Sequence, residues 1–153
     1  MNRFGIGHIW AVISIMYSVM AVYINDFILG SAKIPFISDK ILFLIGLIMI
    51  ILGLVIFTNA IIGFNKVYKD KKLVTTGVYG IFRHPLYASI TLLIVPGCIF
   101  MVNKLFGLTV PIVMYITFRF LIRREEKLLE SEFGKEYLKY KKNVNAFFPK
   151  IKF

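Results

Sequence analysis

One cysteine occurs in 153 residues, Cys98, and it lies inside an apolar run. No intrachain disulfide can form, and a cysteine–histidine metal cluster is excluded, so no metal site is expected. Acidic residues are scarce, eight against nineteen Lys plus Arg. Two stretches carry no Asp, Glu, Lys or Arg at all, Phe4–Asn25 and Ile41–Asn65. Each exceeds the roughly 20 residues that cross a hydrocarbon core as a helix. There is no Pro-, Gly- or Ser-rich linker, no internal repeat and no low-complexity tract, so residues 1–153 read as a single domain. Glycine-rich phosphate loops and zinc-ligand spacings are missing too.

What is present is hydrophobicity: 58% of residues, with a mean hydropathy of +0.77. Soluble domains lie nearer to half apolar. A third run extends from Pro85 to Val102, with Pro96-Gly97 in its middle. Asn103-Lys104 has the look of a tight turn before a short fourth run, Leu105–Phe118. That run is expected to continue helically through Arg119 and Phe120 to Leu129, its charged end leaving the membrane. The fold class expected is all-α: a polytopic membrane protein with four spans, at about 4–24, 41–64, 85–102 and 105–122, and a helical C-terminal tail. Pro96 and Pro111 are expected to bend spans three and four. The first run outlasts a signal-peptide core and has one charge before it, Arg3, which favours a retained span.

The net charge of +11 has a membrane explanation. Lys and Arg flank the apolar runs instead of forming a basic soluble face, so no nucleic-acid partner is expected. The partner implied is the bilayer, where each basic residue near an anionic leaflet contributes about 1 kcal/mol. With four spans, Arg3, the 65–84 loop and the tail from Arg119 hold sixteen basic residues on one side. Lys33, Lys40 and Lys104 lie on the other. The positive-inside rule then puts both termini in the cytoplasm.

Groups able to do chemistry are concentrated on that basic side. His8 and Asn59, isolated near helix ends, read as packing or interface residues. Leu73–Tyr87 reads as an interfacial loop. Gly77 and Gly80 permit tight turns, and Pro85 holds His84 out of the α region while opening the next helix. Arg83 and His84 are thereby delivered to the membrane surface, with Tyr87 one turn on and able to share a side with His84. Head-group anchoring would use the same two residues. The second segment, Arg123–Tyr140, contains Glu125-Glu126 where span four leaves the bilayer. Polar groups at that depth cost free energy unless paired. Neighbouring residues sit about 100° apart on a helix, so one carboxylate is expected to turn inward. Glu130, Glu132 and Glu136 read as a solvated face with pairs such as Glu132–Lys135 and Glu136–Lys139.

Arg, His, Tyr and carboxylate groups at one interface suit several ligands. Arg grips a carboxylate bidentately, Glu suits an ammonium or ribose hydroxyls, and Tyr faces attract a cation. S-Adenosylmethionine offers all of these, but a dinucleotide or a lipid head group would use the same inventory.

In these two segments the chain resembles the isoprenylcysteine carboxyl methyltransferase family and its phospholipid methyltransferase relatives. The resemblance rests on Leu73-Val74-Thr75-Thr76-Gly77-Val78-Tyr79, Arg83-His84-Pro85-Leu86-Tyr87, Glu125-Glu126 and Phe133-Gly134-Lys135-Glu136-Tyr137. Tyr140–Val144 and Phe148-Pro149 extend it, over about 80 residues in matching order. It implies an integral membrane enzyme that uses S-adenosylmethionine, in the manner of small prokaryotic-type members in the cell membrane, with residues 73–149 as the cofactor-binding half. His84, Tyr87 and Glu126 would contact the cofactor, with Tyr79, Arg83, Pro85 and Glu125 close by. Lipophilic or small acceptors would enter from the bilayer. Arg83 or Arg119 would hold an anionic acceptor, and His84 would serve as base where one is needed. Two departures stand out: Ser89 replaces a common Gly or Ala, and four spans are fewer than in eukaryotic prenylcysteine enzymes. The competing expectations are an NADPH-dependent reductase of the sterol reductase type, which usually has Asn where Pro85 stands, and a non-catalytic scaffold. Neither the acceptor nor the oligomeric state is legible.

Overall fold

The computed structural model describes residues 6–70 and 72–150. All regular structure among them is helical. Helix α1 (Gly7–Tyr23) continues through a π-helical turn, Ile24–Ile28; α2 spans Asp39–Asp70. A short 3-10 turn, Gly77–Gly80, leads to α3 (Pro85–Ser89), a π-helical turn (Ile90–Ile94) and α4 (Val95–Val102), which together form the third span. Helix α5 (Thr109–Asn143) completes the set. Four helices are long and apolar enough to cross a membrane, as the uncharged runs required. The first span begins at Gly7 and runs to Ile28, farther than its run of apolar residues implied; residues 4 and 5 of that expectation lie outside the described residues.

Close packing explains the pairing of spans two and three. A Cβ on Gly46 would lie 2.5 Å from the Gly97 carbonyl, and one on Gly97 would lie 2.7 Å from the Gly46 carbonyl. Lipid offers little hydrophobic drive between helices, so small residues that let backbones meet carry the association. Helix α1 docks instead on α5, where the Trp10 indole N–H donates to the Met114 carbonyl at 3.0 Å. Trp10, Met114, Phe118, Ile122 and Phe147 belong to one buried cluster. Large apolar side chains such as Met16, Val19, Leu52 and Val55 stay exposed, as suits faces turned to lipid.

The two prolines act differently from each other. Pro96 lacks the N–H that would bond the Leu92 carbonyl, and the π turn at Ile90–Ile94 immediately precedes it, widening the helix where the bond is lost. Pro111 does not bend span four. It sits in the first turn of α5, where a missing N–H costs nothing. The break in α5 is at Gly134, with φ 52 and ψ −126, a conformation essentially confined to glycine.

That break reverses the chain. In a straight helix residues 126 and 141 would be about 22 Å apart at 1.5 Å per residue. Yet the Lys141 ammonium lies 2.9 Å from Glu126 and 2.5 Å from Glu130. The tail is therefore a return helix folded against the end of span four, not a free amphipathic extension. Among the described residues the expected Glu132–Lys135 and Glu136–Lys139 pairs do not form, and Lys141 carries the ion pairs of this region. The part of α5 before the break, residues 109–133, measures roughly 37 Å at 1.5 Å per residue, still longer than a hydrocarbon core of about 30 Å.

At the end opposite the basic loop, polar groups lace the connections together. Asn25, fully buried in the first π turn, accepts from the Phe106 N–H at 2.9 Å and donates to Asp26. Lys104 pairs with Asp26. Asn103 closes the third span in the left-handed conformation expected of the Asn103-Lys104 turn. Its amide donates to Asp39 at 2.7 Å and its oxygen accepts from the Ile34 N–H at 2.8 Å.

Candidate functional site

At the basic end lies a cavity of about 430 Å³, within the range of roughly 300–1,000 Å³ usual for small-molecule sites. The loop between α2 and α3 builds one wall. Gly77, at φ +61, turns the chain into the 3-10 segment; Gly80 adopts no such angle. Tyr79 then lays its ring where Gly63 leaves room, since a Cβ there would lie 2.5 Å from that ring. Its hydroxyl donates to the Ala60 carbonyl at 3.0 Å. Burial pushes the Tyr79 phenol well above its ordinary value, and the Glu125 charge adds to this, so it stays a neutral donor.

Arg83 and His84 follow, held by their own backbone. Their N–H groups donate to the carbonyls of Asn145 and Ala146, at 2.9 and 3.1 Å. The tail beyond α5 thus clamps the loop, and the Tyr140 hydroxyl adds a 2.6 Å bond to the Tyr79 carbonyl. His84 adopts φ −124 and ψ 65 ahead of Pro85 at the start of α3, the non-helical geometry that the following proline imposes.

The carboxylates divide the work between them. Glu126 accepts from Arg83 Nη2 at 2.9 Å and from Lys141, and sits 3.5 Å from His84 Nε2. Burial alone would raise its carboxyl, but His84, Lys141 and the Arg83 charge outweigh that and hold it down at about 2. Glu125 lines the cavity, accepts from the Tyr87 hydroxyl at 3.2 Å and lies 3.8 Å from His84 Nδ1. Both acids reach the site, although they are adjacent on one helix, because the loop and the return helix approach it from two sides.

Four buried polar atoms here have no hydrogen-bond partner among the described residues: Arg83 Nε, Arg83 Nη1, His84 Nε2 and the Tyr137 hydroxyl. All three residues line the cavity. An unsatisfied buried polar group costs about 1–3 kcal/mol, and a cluster of donors around one space is the signature of a site shaped for a polar ligand. With Nη2 taken by Glu126, the free Nε and Nη1 of Arg83 lie on opposite edges of the guanidinium, and each can donate a separate charge-assisted hydrogen bond to a ligand oxygen.

Of the residues singled out in the sequence, Tyr79, Arg83, His84, Pro85, Tyr87 and Glu125 line the cavity. Glu126 stands behind Arg83. Arg119 is exposed and takes no part in the lining. Sequence reasoning missed Tyr137, Lys141 and the Asn145-Ala146 clamp, whose roles depend on the reversal at Gly134. It also set aside His8, which lines the cavity from α1. The glycine within Phe133–Tyr137 was the one available signal for the reversal. Asn59 is exposed and donates within its own helix to the Val55 carbonyl at 2.7 Å.

The fold and site together define a four-span helical membrane protein with a cavity lined by ionisable groups at its basic end. The chain belongs to the phospholipid methyltransferase family, whose pattern matches residues 41–136. It is 36% identical over 94 residues to the human protein-S-isoprenylcysteine O-methyltransferase, covering 58% of this chain and 33% of that one. It is 34% identical over 78 residues to protein-S-isoprenylcysteine O-methyltransferase B of Arabidopsis thaliana, covering 51% and 40%. A solved structure of isoprenylcysteine carboxyl methyltransferase, a eukaryotic intramembrane Ras methyltransferase, superposes with a TM-score of 0.64 at 28% identity. That superposition covers 97% of this chain and 54% of the other. The chain thus spans only about a third of the human relative's length.

Proposed function

We propose that this protein is an integral membrane methyltransferase that takes its methyl group from S-adenosylmethionine and passes it to a lipophilic or small acceptor. The observation that carries this reading is the set of partnerless donors around one cavity, on Arg83, His84 and Tyr137. When bound, the cofactor supplies an electrophilic methyl group on a sulfonium. The donors fit its amino-acid end: the free Arg83 N–H groups suit the carboxylate, Glu125 the ammonium or ribose hydroxyls, and the Tyr79 and Tyr87 rings the cationic sulfur. Glu126 and Lys141 hold Arg83 and His84 in place rather than touching the ligand. The carboxylates beside both ring nitrogens of His84 support a place for it on the cofactor side. Arg119, outside the lining, suits lipid head groups.

Family membership supports methyl transfer, and the basic loop and tail support a cytoplasmic site with both termini on that side. The apolar wall of Phe64, Val67, Leu73 and Val74 supports a lipophilic acceptor. The relatives' S-isoprenylated cysteine is one member of that class. Alignment of acceptor and methyl in a site that excludes water would supply most of the acceleration.

Calorimetry on the full chain in nanodiscs tests the reading. S-Adenosylhomocysteine should bind, NADPH should not, and Arg83→Ala should weaken that binding about 100-fold, the loss of a charge-assisted hydrogen bond worth up to roughly 3 kcal/mol. NADPH binding without S-adenosylhomocysteine binding would replace the methyltransferase with a reductase.

A further inference from the structure

Among the described lining residues, the loop, α3 and α5 contribute Tyr79, Arg83, His84, Tyr87, Glu125, Tyr137 and Tyr140, while those from α1 and α2 are apolar apart from His8. Among the described residues no hydrogen bond or ion pair engages the His8 imidazole, and the residue is exposed where it borders the cavity. His84, by contrast, is buried between two carboxylates.

The backbone around His8 is fixed. A Cβ on Gly7 would lie 3.5 Å from the Tyr87 hydroxyl. Trp10 packs edge-on against the Tyr87 ring at 5.1 Å between centroids and bonds to Met114. His8 is therefore an open imidazole at a packed helix end, bordering the same cavity as the partnerless donors. It also lies outside residues 41–136, the part matched to the family pattern.

We infer that His8 is the proton acceptor for the methyl acceptor, and that the site therefore serves acceptors bearing a proton on the atom to be methylated: a thiol, a hydroxyl or an amine. This rests on the methyltransferase reading above. In the step, the bond from the methyl carbon to the acceptor atom forms as the carbon–sulfur bond breaks. The electron pair of the broken bond stays on sulfur, and the acceptor's proton passes to a ring nitrogen of His8. An imidazole has a ring nitrogen able to take a proton, and a positioned general base is worth about 10²–10⁴ in rate. A carboxylate acceptor, already ionised, would gain nothing from it.

The test compares two probes on the full chain in nanodiscs, a long-chain alkyl thiol and an S-isoprenylated cysteine carboxylate, each supplied with labelled S-adenosylmethionine. His8→Gln should lower transfer to the thiol about 100-fold and abolish the acidic limb of its pH profile. S-Adenosylhomocysteine affinity, and any transfer to the carboxylate, should stay within about twofold. Equal losses with both probes, or no loss with the thiol, overturn the assignment. A second readout needs no turnover: with carbon-13 histidine, the alkyl thiol should shift the His8 ring signal and leave that of His84 in place. No shift at His8 also overturns it. Failure of the unmodified protein to bind S-adenosylhomocysteine would instead strike the methyltransferase reading.

Discussion

The two ends of this helical bundle are both polar, and they are finished differently. At the far end, Asn25, Asp26, Asp39, Asn103 and Lys104 bond to one another and to loop N–H groups. Among the described residues none of them has a buried polar atom without a partner. At the basic end, Arg83, His84 and Tyr137 keep four such atoms around a cavity. Buried polar groups are ordinarily paired, so the first arrangement is what holding spans together requires. The second tolerates a standing cost that a ligand would remove. Charge density alone does not separate structure from function here; completeness of bonding does.

The contrast can be broken most severely at Gly134. A Cβ there would meet nothing within 4 Å, so Gly134→Ala tests backbone conformation alone, at a cost of about 1–3 kcal/mol. The return helix should detach, and S-adenosylhomocysteine affinity should fall by more than tenfold, while the far end stays intact. Unchanged binding by calorimetry would show that the reversal is not needed for the site. Asn25→Leu should do the converse. It strands the Phe106 N–H, lowering stability by about 2 kcal/mol in a denaturation assay, with ligand affinity within about twofold. A loss of affinity comparable to the loss of stability would mean that the ends are not independent.

Smaller effects sharpen the same distinction. The Tyr137 hydroxyl has no hydrogen-bond partner among the described residues, so Tyr137→Phe should leave the unfolding midpoint unchanged or slightly higher. It should weaken S-adenosylhomocysteine about fivefold, the worth of roughly 1 kcal/mol. A lower midpoint with unchanged affinity would place that hydroxyl in the protein's own bonding. The smallest effect concerns pH. Glu126 is held at about 2, below an ordinary 4.5, so its contribution to stability is complete above about 4.5 and is lost as pH falls toward 2. Thermal unfolding between pH 5 and 3 should steepen in the native protein and flatten in Glu126→Gln. Identical profiles would remove the ion-pair network from the account.

The spans and the loop were legible because each has a local cause. Uncharged runs longer than a bilayer can only be spans, and Pro85 dictates the geometry of His84 whatever surrounds it. The Arg83–Glu126 pairing was half legible: both residues stood out, but which carboxylate would meet Arg83 depended on the facing of two elements some forty residues apart. Pro111 misled because its effect depends on position within a helix, and the start of α5 is set by the 3-10 turn at Phe106–Leu108, which has no sequence marker. Lys141 and Tyr137 were illegible for one reason. A single glycine torsion decides whether they trail into solvent or return to the site, and helical periodicity continues on both sides of it. The position of His8 at the cavity was illegible because an isolated histidine has no pattern.

The clamp of Asn145 and Ala146 on Arg83 and His84 also sets an order in time. The two clamp residues are made more than sixty positions after the loop they hold. At about 5–20 residues per second of synthesis, that is a delay of roughly 3–12 seconds. Spans one to three can enter the bilayer and pair in that interval, while the loop lacks its restraint. The pocket is therefore among the last parts of the molecule to mature, and a nascent chain already in the membrane has no finished cavity until its tail arrives.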